Sequence, residues 1–138
     1  MELEFLMQKQ KNSVQIILIK LVTIIDEKDK NSFGNYRKLV RLIKTIKIDS
    51  EKPNLINQLS SYDIQGLVYN IPSFELASCK PLELIPLMGK YLVNWVENED
   101  AFKKLLVPDG TRRISKKVSI DTLLVLGEEI ADLWNEIK

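Results

Sequence analysis

From Gly34 to Lys47 the chain reads GNYRKLVRLIKTIK, and this periodicity constrains the fold more than any other stretch. Wound at 3.6 residues per turn, Tyr36, Leu39, Val40, Leu42, Ile43 and Ile46 gather on one side. Arg37, Lys38, Arg41 and Lys44 fall on the other, with Arg37, Arg41 and Lys44 at i, i+4 and i+7. One face demands a core, and the opposite face is a positive strip with no acid inside the segment. The other long apolar stretches also follow the helical repeat. The expected fold is therefore all-α, a compact single-domain bundle of about five to seven helices over residues 1–138. A first long helix would occupy 1–28, and 34–138 would complete the bundle.

Around that segment the helix signals fall in order. Leu3 to about Glu27 reads as one helix, with Val14, Ile17, Leu18, Leu21, Val22 and Ile25 in register. Ile16, Ile19 and Ile24 widen its apolar stripe until it needs neighbours on several sides. DEKDKNSFGN breaks the pattern with charge and a glycine. Pro53 suits a first helical position, and Leu55, Ile56 and Leu59 begin an apolar face. Ser60 or Ser61 can cap a restart, Asp63 standing three residues after Ser60 in capping-box register. Ile64, Leu67, Val68 and Ile71 continue it to Pro72. PSFELASCKP is a connector or short helix. Ile85, Met88, Leu92, Trp95 and Val96 mark a helix within Leu82–Val96, and Ala101–Leu106 a short one. Pro108-Asp109-Gly110 is a turn, with RRISKK behind it as the return arm of a small hairpin or a loop. Ser119 caps the last helix, whose seam is Leu123, Leu126, Ile130, Leu133 and Ile137. Glu128, Glu129, Asp132 and Glu136 form its acidic face, and Gly127 beside the seam offers close approach to another helix.

Composition restricts the chemistry. The sequence contains no histidine and a single cysteine, Cys79, which excludes Ser-His-Asp and Cys-His nucleophile arrangements, histidine metal sites and an internal disulfide. No GxxxxGK[ST] run is present, and the paired acids fall where helix exteriors and turns are expected. The expectation is no catalytic residue, no metal and no cofactor, and so no enzyme. The acidic Met-Glu-Leu-Glu start is unlike a secretory signal, and the apolar run Val14–Ile25 is too short and interrupted to span a bilayer. A cytoplasmic protein without a membrane partner is expected.

Charge is near balance overall but unevenly placed. Lys30 to Lys47 holds six basic residues and no acid, Lys103 to Lys117 six with only Asp109, and Asp121 to Glu136 five acids and no base. Two cationic surfaces follow, with candidate nucleic-acid contacts at Arg37, Lys38, Arg41 and Lys44 and at Arg112, Arg113, Lys116 and Lys117. The competing reading of these residues is a solvated surface. Other readings are a helical interaction or regulatory module that docks a partner through its acidic C-terminal helix, and a helix-turn-helix regulator. DEKDKNSFGN is too long and charged for the usual tight turn of the latter.

The outline also carries a family resemblance. A tyrosine-led basic helix, Tyr36-Arg37-Lys38-Leu39-Val40, precedes GLVYNIPSFELAS, then LIPLMGKYLVNWVEN, then DTLLVLGEEIADLW. In this order the segments resemble the small subunit of CRISPR–Cas effector complexes, most nearly that of the type III-B (Cmr) complex. The likeness spans about residues 36–137. It departs in the long linker between Lys47 and Gly66 and in a final helix without terminal basic residues. The resemblance implies a non-catalytic subunit that assembles with other effector subunits and with copies of itself. Such a subunit would hold guide RNA and target RNA by their backbones while base pairing supplies specificity.

Overall fold

The computed structural model describes the backbone of residues 2–137, and within it all side chains but those of residues 2–14, Ile17 and Leu55. The apolar positions Leu3, Val14, Ile17 and Leu55 therefore lie outside the described side chains. The chain is all-α. The helices are α1 (Glu2–Asn31), α2 (Asn35–Asp49), the short α3 (Pro53–Ile56), α4 (Ser61–Tyr69), α5 (Ser73–Ala77), α6 (Leu84–Glu97), α7 (Glu99–Lys103) and α8 (Ile120–Ile137). Single 3-10 turns lie at Pro81–Glu83 and Ile114–Lys116. Among the described residues there is no strand, only an isolated antiparallel bridge between Leu106 and Arg113.

The pattern at Gly34–Lys47 resolves as expected. Tyr36, Leu39 and Ile43 are fully buried, and Val40 and Ile46 nearly so. They meet Ile64, Leu67 and Val68 of α4 in a core that α6 and α8 close with Met88, Leu92, Trp95, Leu123, Leu126 and Ile130. α6 and α8 form the most extensive helix pair. Tyr36 donates its hydroxyl to the Gln65 carbonyl at 3.0 Å, which satisfies the polar group that this side chain carries into the core.

Local chemistry sets the helix ends. Ser60, the alternative that the structure selects, caps α4. Its Oγ accepts from the Asp63 amide at 3.1 Å and donates to Asp63 Oδ2 at 2.7 Å. Ser119 Oγ accepts the Thr122 amide at 3.2 Å to begin α8. α1 runs to Asn31, past the expected end at Glu27, because the charges there have outside partners. Asp26 and Asp29 both pair with Arg37 of α2, and Lys28 Nζ donates to the Ile71 carbonyl at 2.6 Å. The chain then reverses through Phe33 and Gly34, both at positive φ (55° and 82°). The Asn35 side chain fastens this elbow to α5 through the Leu76 carbonyl at 2.7 Å and to the segment after it through the Cys79 carbonyl at 2.9 Å.

The close-approach glycine is not Gly127. A Cβ at Gly127 would meet nothing within 4 Å, whereas one at Gly66 would lie 3.1 Å from Ile114 Cδ1 and 3.3 Å from the Val107 Cα. That contact brings the segment after α7 against α4, and it positions the second cationic surface.

Candidate functional site

The two predicted basic surfaces are built differently. On α2 the guanidinium of Arg37 is turned back toward α1, where it spans Asp26 and Asp29. The Arg37 amide also donates to Asp29 Oδ1 at 3.1 Å. Arg37 thus works as a brace between two helices. Lys38 and Arg41 are exposed and Lys44 is half-buried. These three form no ion pair with the described residues, so the strip narrows to Lys38, Arg41 and Lys44.

The second surface is a folded ledge. Pro108-Asp109-Gly110 forms the expected turn, with the Gly110 amide on the Val107 carbonyl at 2.9 Å and Gly110 at φ 73°. The return arm is brief. Val107 N–H donates to the Arg112 carbonyl at 3.1 Å and Ile114 N–H to the Leu105 carbonyl at 3.0 Å, after which the chain enters its 3-10 turn. Arg112 points inward, its Nη2 2.7 Å from Oδ1 of the fully buried Asp63. Its guanidinium lies 5.9 Å from the centre of the Tyr62 ring. The Tyr62 hydroxyl accepts the Asp109 amide at 3.4 Å, and burial pushes this phenol up to about 12. Arg112 is consequently a fastener, while Arg113, Lys116 and Lys117 remain exposed. Lys103 and Lys104 at the end of α7, which are not among the contacts expected from sequence, are also exposed, and α7 packs against the 3-10 turn. The signal was available, since both belong to the same basic run.

Two apolar features complete the surface. Ile16, Leu18, Ile19 and Val22 of α1 are each more than half exposed, while Leu21, Ile24 and Ile25 are partly covered. Between α6 and α8 lies a cleft of about 500 Å³ lined by Pro86, Gly89, Val93, Leu124, Gly127 and Trp134. Trp95 is core, and Trp134 lines this cleft. Cys79 is half-buried, its Sγ 3.3 Å from the Glu75 carbonyl, and burial with Glu83 and Glu75 nearby raises its thiol above the usual range. That is the environment of an unreactive thiol. Among the described residues no three carboxylate or thiol groups converge in a way that would hold a metal ion. No described helix is long and apolar enough to cross a membrane.

Comparison with known proteins redirects the functional reading. Residues 23–136 match the family described as the cGAS/DncV-like nucleotidyltransferase C-terminal helical domain. Over 116 residues the chain is 34% identical to a cyclic dinucleotide synthase CdnE of Yersinia aleksiciae, covering 82% of this chain and 31% of that protein. It is 27% identical over 108 residues to a c-di-GMP synthase of Capnocytophaga granulosa, covering 76% and 30%. The fold is shared with the solved structure of a STING-associated CdnE c-di-GMP synthase from Capnocytophaga granulosa. That likeness has a TM-score of 0.77 at 24% identity over 84% of this chain and 38% of that one. The chain spans about a third of the length of the curated relatives it matches.

These findings overturn the CRISPR reading, and with it guide and target RNA, effector subunits and a non-catalytic assembly role. The expectation of no enzyme falls too, because the relatives are named as synthases. The alternative of a module that docks partners through its C-terminal helix is not supported either. The physical reason is plain in the fold. Tyr36, Leu39 and Val40, Gly66 and Leu67, Leu92 and Trp95, and Leu123, Leu126 and Ile130 of the α8 seam all face the interior, while Leu133 is partly covered and Ile137 is exposed. The quoted motifs were core positions, and core positions of helical bundles look alike whatever the bundle does.

Proposed function

Because the chain belongs to the cGAS/DncV-like nucleotidyltransferase C-terminal helical domain family, we propose that it is the helical domain of an enzyme that makes cyclic dinucleotides. The observation that carries this reading is the family match across 23–136, supported by 34% identity to the Yersinia synthase. In such a reaction two nucleoside triphosphates are joined by two phosphodiester bonds and two pyrophosphates leave. Catalytic groups for those steps belong to a nucleotidyltransferase domain, and the helical domain supplies a rigid partner for it.

The exposed face of α1 suits that partnership. Burying the greater part of four side chains such as Ile16, Leu18, Ile19 and Val22 is worth on the order of 1 kcal/mol or more each against a complementary surface. Lys38, Arg41 and Lys44 then offer an anion-binding strip on a helix already anchored in the core.

The test is a synthesis assay on the native assembly that contains residues 1–138, supplied with nucleoside triphosphates and a divalent cation. GTP is the first substrate to try, because c-di-GMP synthases are among the relatives. The expected result is a phosphatase-resistant cyclic dinucleotide detected by mass spectrometry. Ile19→Asp with Val22→Asp should reduce the yield at least about tenfold by weakening the domain contact. An intact assembly that forms no cyclic product from any pair of nucleotides would overturn the proposal.

A further inference from the structure

We propose that the ledge following α7 is an oligophosphate-binding site, formed by Lys103, Lys104, Arg113, Lys116 and Lys117, whose ligand is the phosphate chain of a nucleoside triphosphate. The choice of ligand rests on the synthase reading above, while the site itself rests on the geometry. Four buried apolar side chains, Phe102, Val107, Ile114 and Val118, alternate along the chain with the five exposed cations. Hydrogen bonds fix the backbone between them. Ile114 N–H reaches the Leu105 carbonyl at 3.0 Å, and the Lys117 and Val118 amides both reach the Ile114 carbonyl at 3.1 Å. Lys104 and Arg113 thereby flank the same paired residues, and Lys116 and Lys117 follow within one turn. The bridge between Leu106 and Arg113 and the contact of α7 with the 3-10 turn hold both halves together.

The ledge is the denser of the two unpaired cationic surfaces, five cations against the three of the α2 strip. Arg37, Lys52, Lys90 and Arg112 each have a carboxylate partner, and Lys28 has a carbonyl. The five ledge cations have no ion pair among the described residues. All five project like charge from one hydrogen-bonded segment, and none is neutralised by an acid of the described residues. Arg112 stiffens that segment, because its bond to buried Asp63 and its place on the Tyr62 ring fasten the loop that carries its neighbours. The ligand that neutralises such a cluster is a compact polyanion meeting several cations at once, with no ordering of the loop on binding. A triphosphate has that density of charge. The ledge occupies one short segment, which favours a small polyanion over a polymer backbone that needs a long track of contacts.

The test is direct binding to the 138-residue protein labelled with nitrogen-15, titrated with GTP, inorganic tripolyphosphate and guanosine. The expected result is amide shifts centred on Lys104, Arg113, Lys116 and Lys117 with GTP and tripolyphosphate and none with guanosine. Binding should weaken as salt is raised. Lys116→Ala with Lys117→Ala should weaken both anions at least about fivefold, and adding Arg113→Ala should abolish measurable binding. These positions are exposed, so the amide spectrum should stay folded; if the triple variant does not, the double variant and Lys104→Ala decide. Arg113→Lys should retain most of the affinity. Shifts confined to other surfaces, unchanged affinity in the double variant, or binding of RNA but not of tripolyphosphate would overturn the site. Cyclic product without ledge binding sinks the ledge alone, and ledge binding without cyclic product sinks the synthase reading alone.

Discussion

At the scale of single residues, the basic side chains divide into those that hold the molecule together and those that face outward. Arg112 is of the first kind. Asp63 is fully buried and accepts from Arg112 at 2.7 Å and from Ser60 at 2.7 Å, so all its stabilising partners are internal. Truncating one member strands the other in low dielectric. Arg112→Ala should cost about 2–4 kcal/mol in urea unfolding, the lower end reflecting the partial exposure of Arg112. Replacing Arg112 and Asp63 together by alanine should cost less than the sum of the two single changes. A strictly additive pair would show that the contact contributes nothing. The uneven placement of charge marks Arg112 as basic and available, but its partner lies 49 residues earlier in the chain, and no local pattern contains that information.

Among the elements, α4 and α8 show how the same residue type serves opposite ends. Both Gly66 and Gly127 lie inside helices, where glycine costs roughly 0.5–1 kcal/mol relative to alanine. At Gly127 an added methyl meets open space, so Gly127→Ala should stabilise the protein by about that amount. At Gly66 the methyl would sit 3.1 Å from the buried end of Ile114 and 3.3 Å from the backbone of Val107. Neither can retreat without moving the ledge, and overpacking of this kind costs about 1–3 kcal/mol. Gly66→Ala should therefore be net destabilising despite the better helix former. Thermal melts of the two variants should move in opposite directions. The helix itself was legible around both glycines, whereas which of them touches a neighbour was not.

For the whole molecule, the buried tyrosines predict the response to alkali. Burial, with Tyr69 beside it, pushes the Tyr36 phenol far above its ordinary 10, and burial raises Tyr62 to about 12. In the unfolded chain both ionise near pH 10, while in the folded protein they stay protonated. Above pH 10 the folded state binds more protons than the unfolded state, so stability is full below that value and falls as pH rises beyond it. Lys28 acts in the opposite sense. Burial lowers its ammonium, so just below pH 10.5 its contribution rises with pH. Comparison with Tyr36→Phe isolates the tyrosine. The variant should lose about 1 kcal/mol at neutral pH with the Gln65 hydrogen bond, and this deficit should shrink as pH climbs past 10. A deficit that does not change between pH 8 and 11 would contradict the assignment.

The expectation that the α1 stripe needs neighbours on several sides is not met, since Ile16, Leu18, Ile19 and Val22 are each more than half exposed. The sequence by itself determined the order of the helices, the caps at Ser60 and Ser119 and the buried faces of α2, α4 and α6. Those follow from short-range spacing and from capping chemistry within three residues, as at Ser60 and Ser119. It also determined that two stretches are cationic. Tertiary structure alone decided which cations are free. Arg37 and Arg112 are neutralised by acids from other segments, and Lys103 and Lys104 join Arg113, Lys116 and Lys117 only because Leu105 pairs with Ile114. Burial, ion pairing and shared surfaces depend on residues far apart in the chain. For the same reason the helical motifs resembled a family to which the protein does not belong. The order of apolar faces records that a bundle forms, and the partners of individual side chains across that bundle record what its surface is left to do.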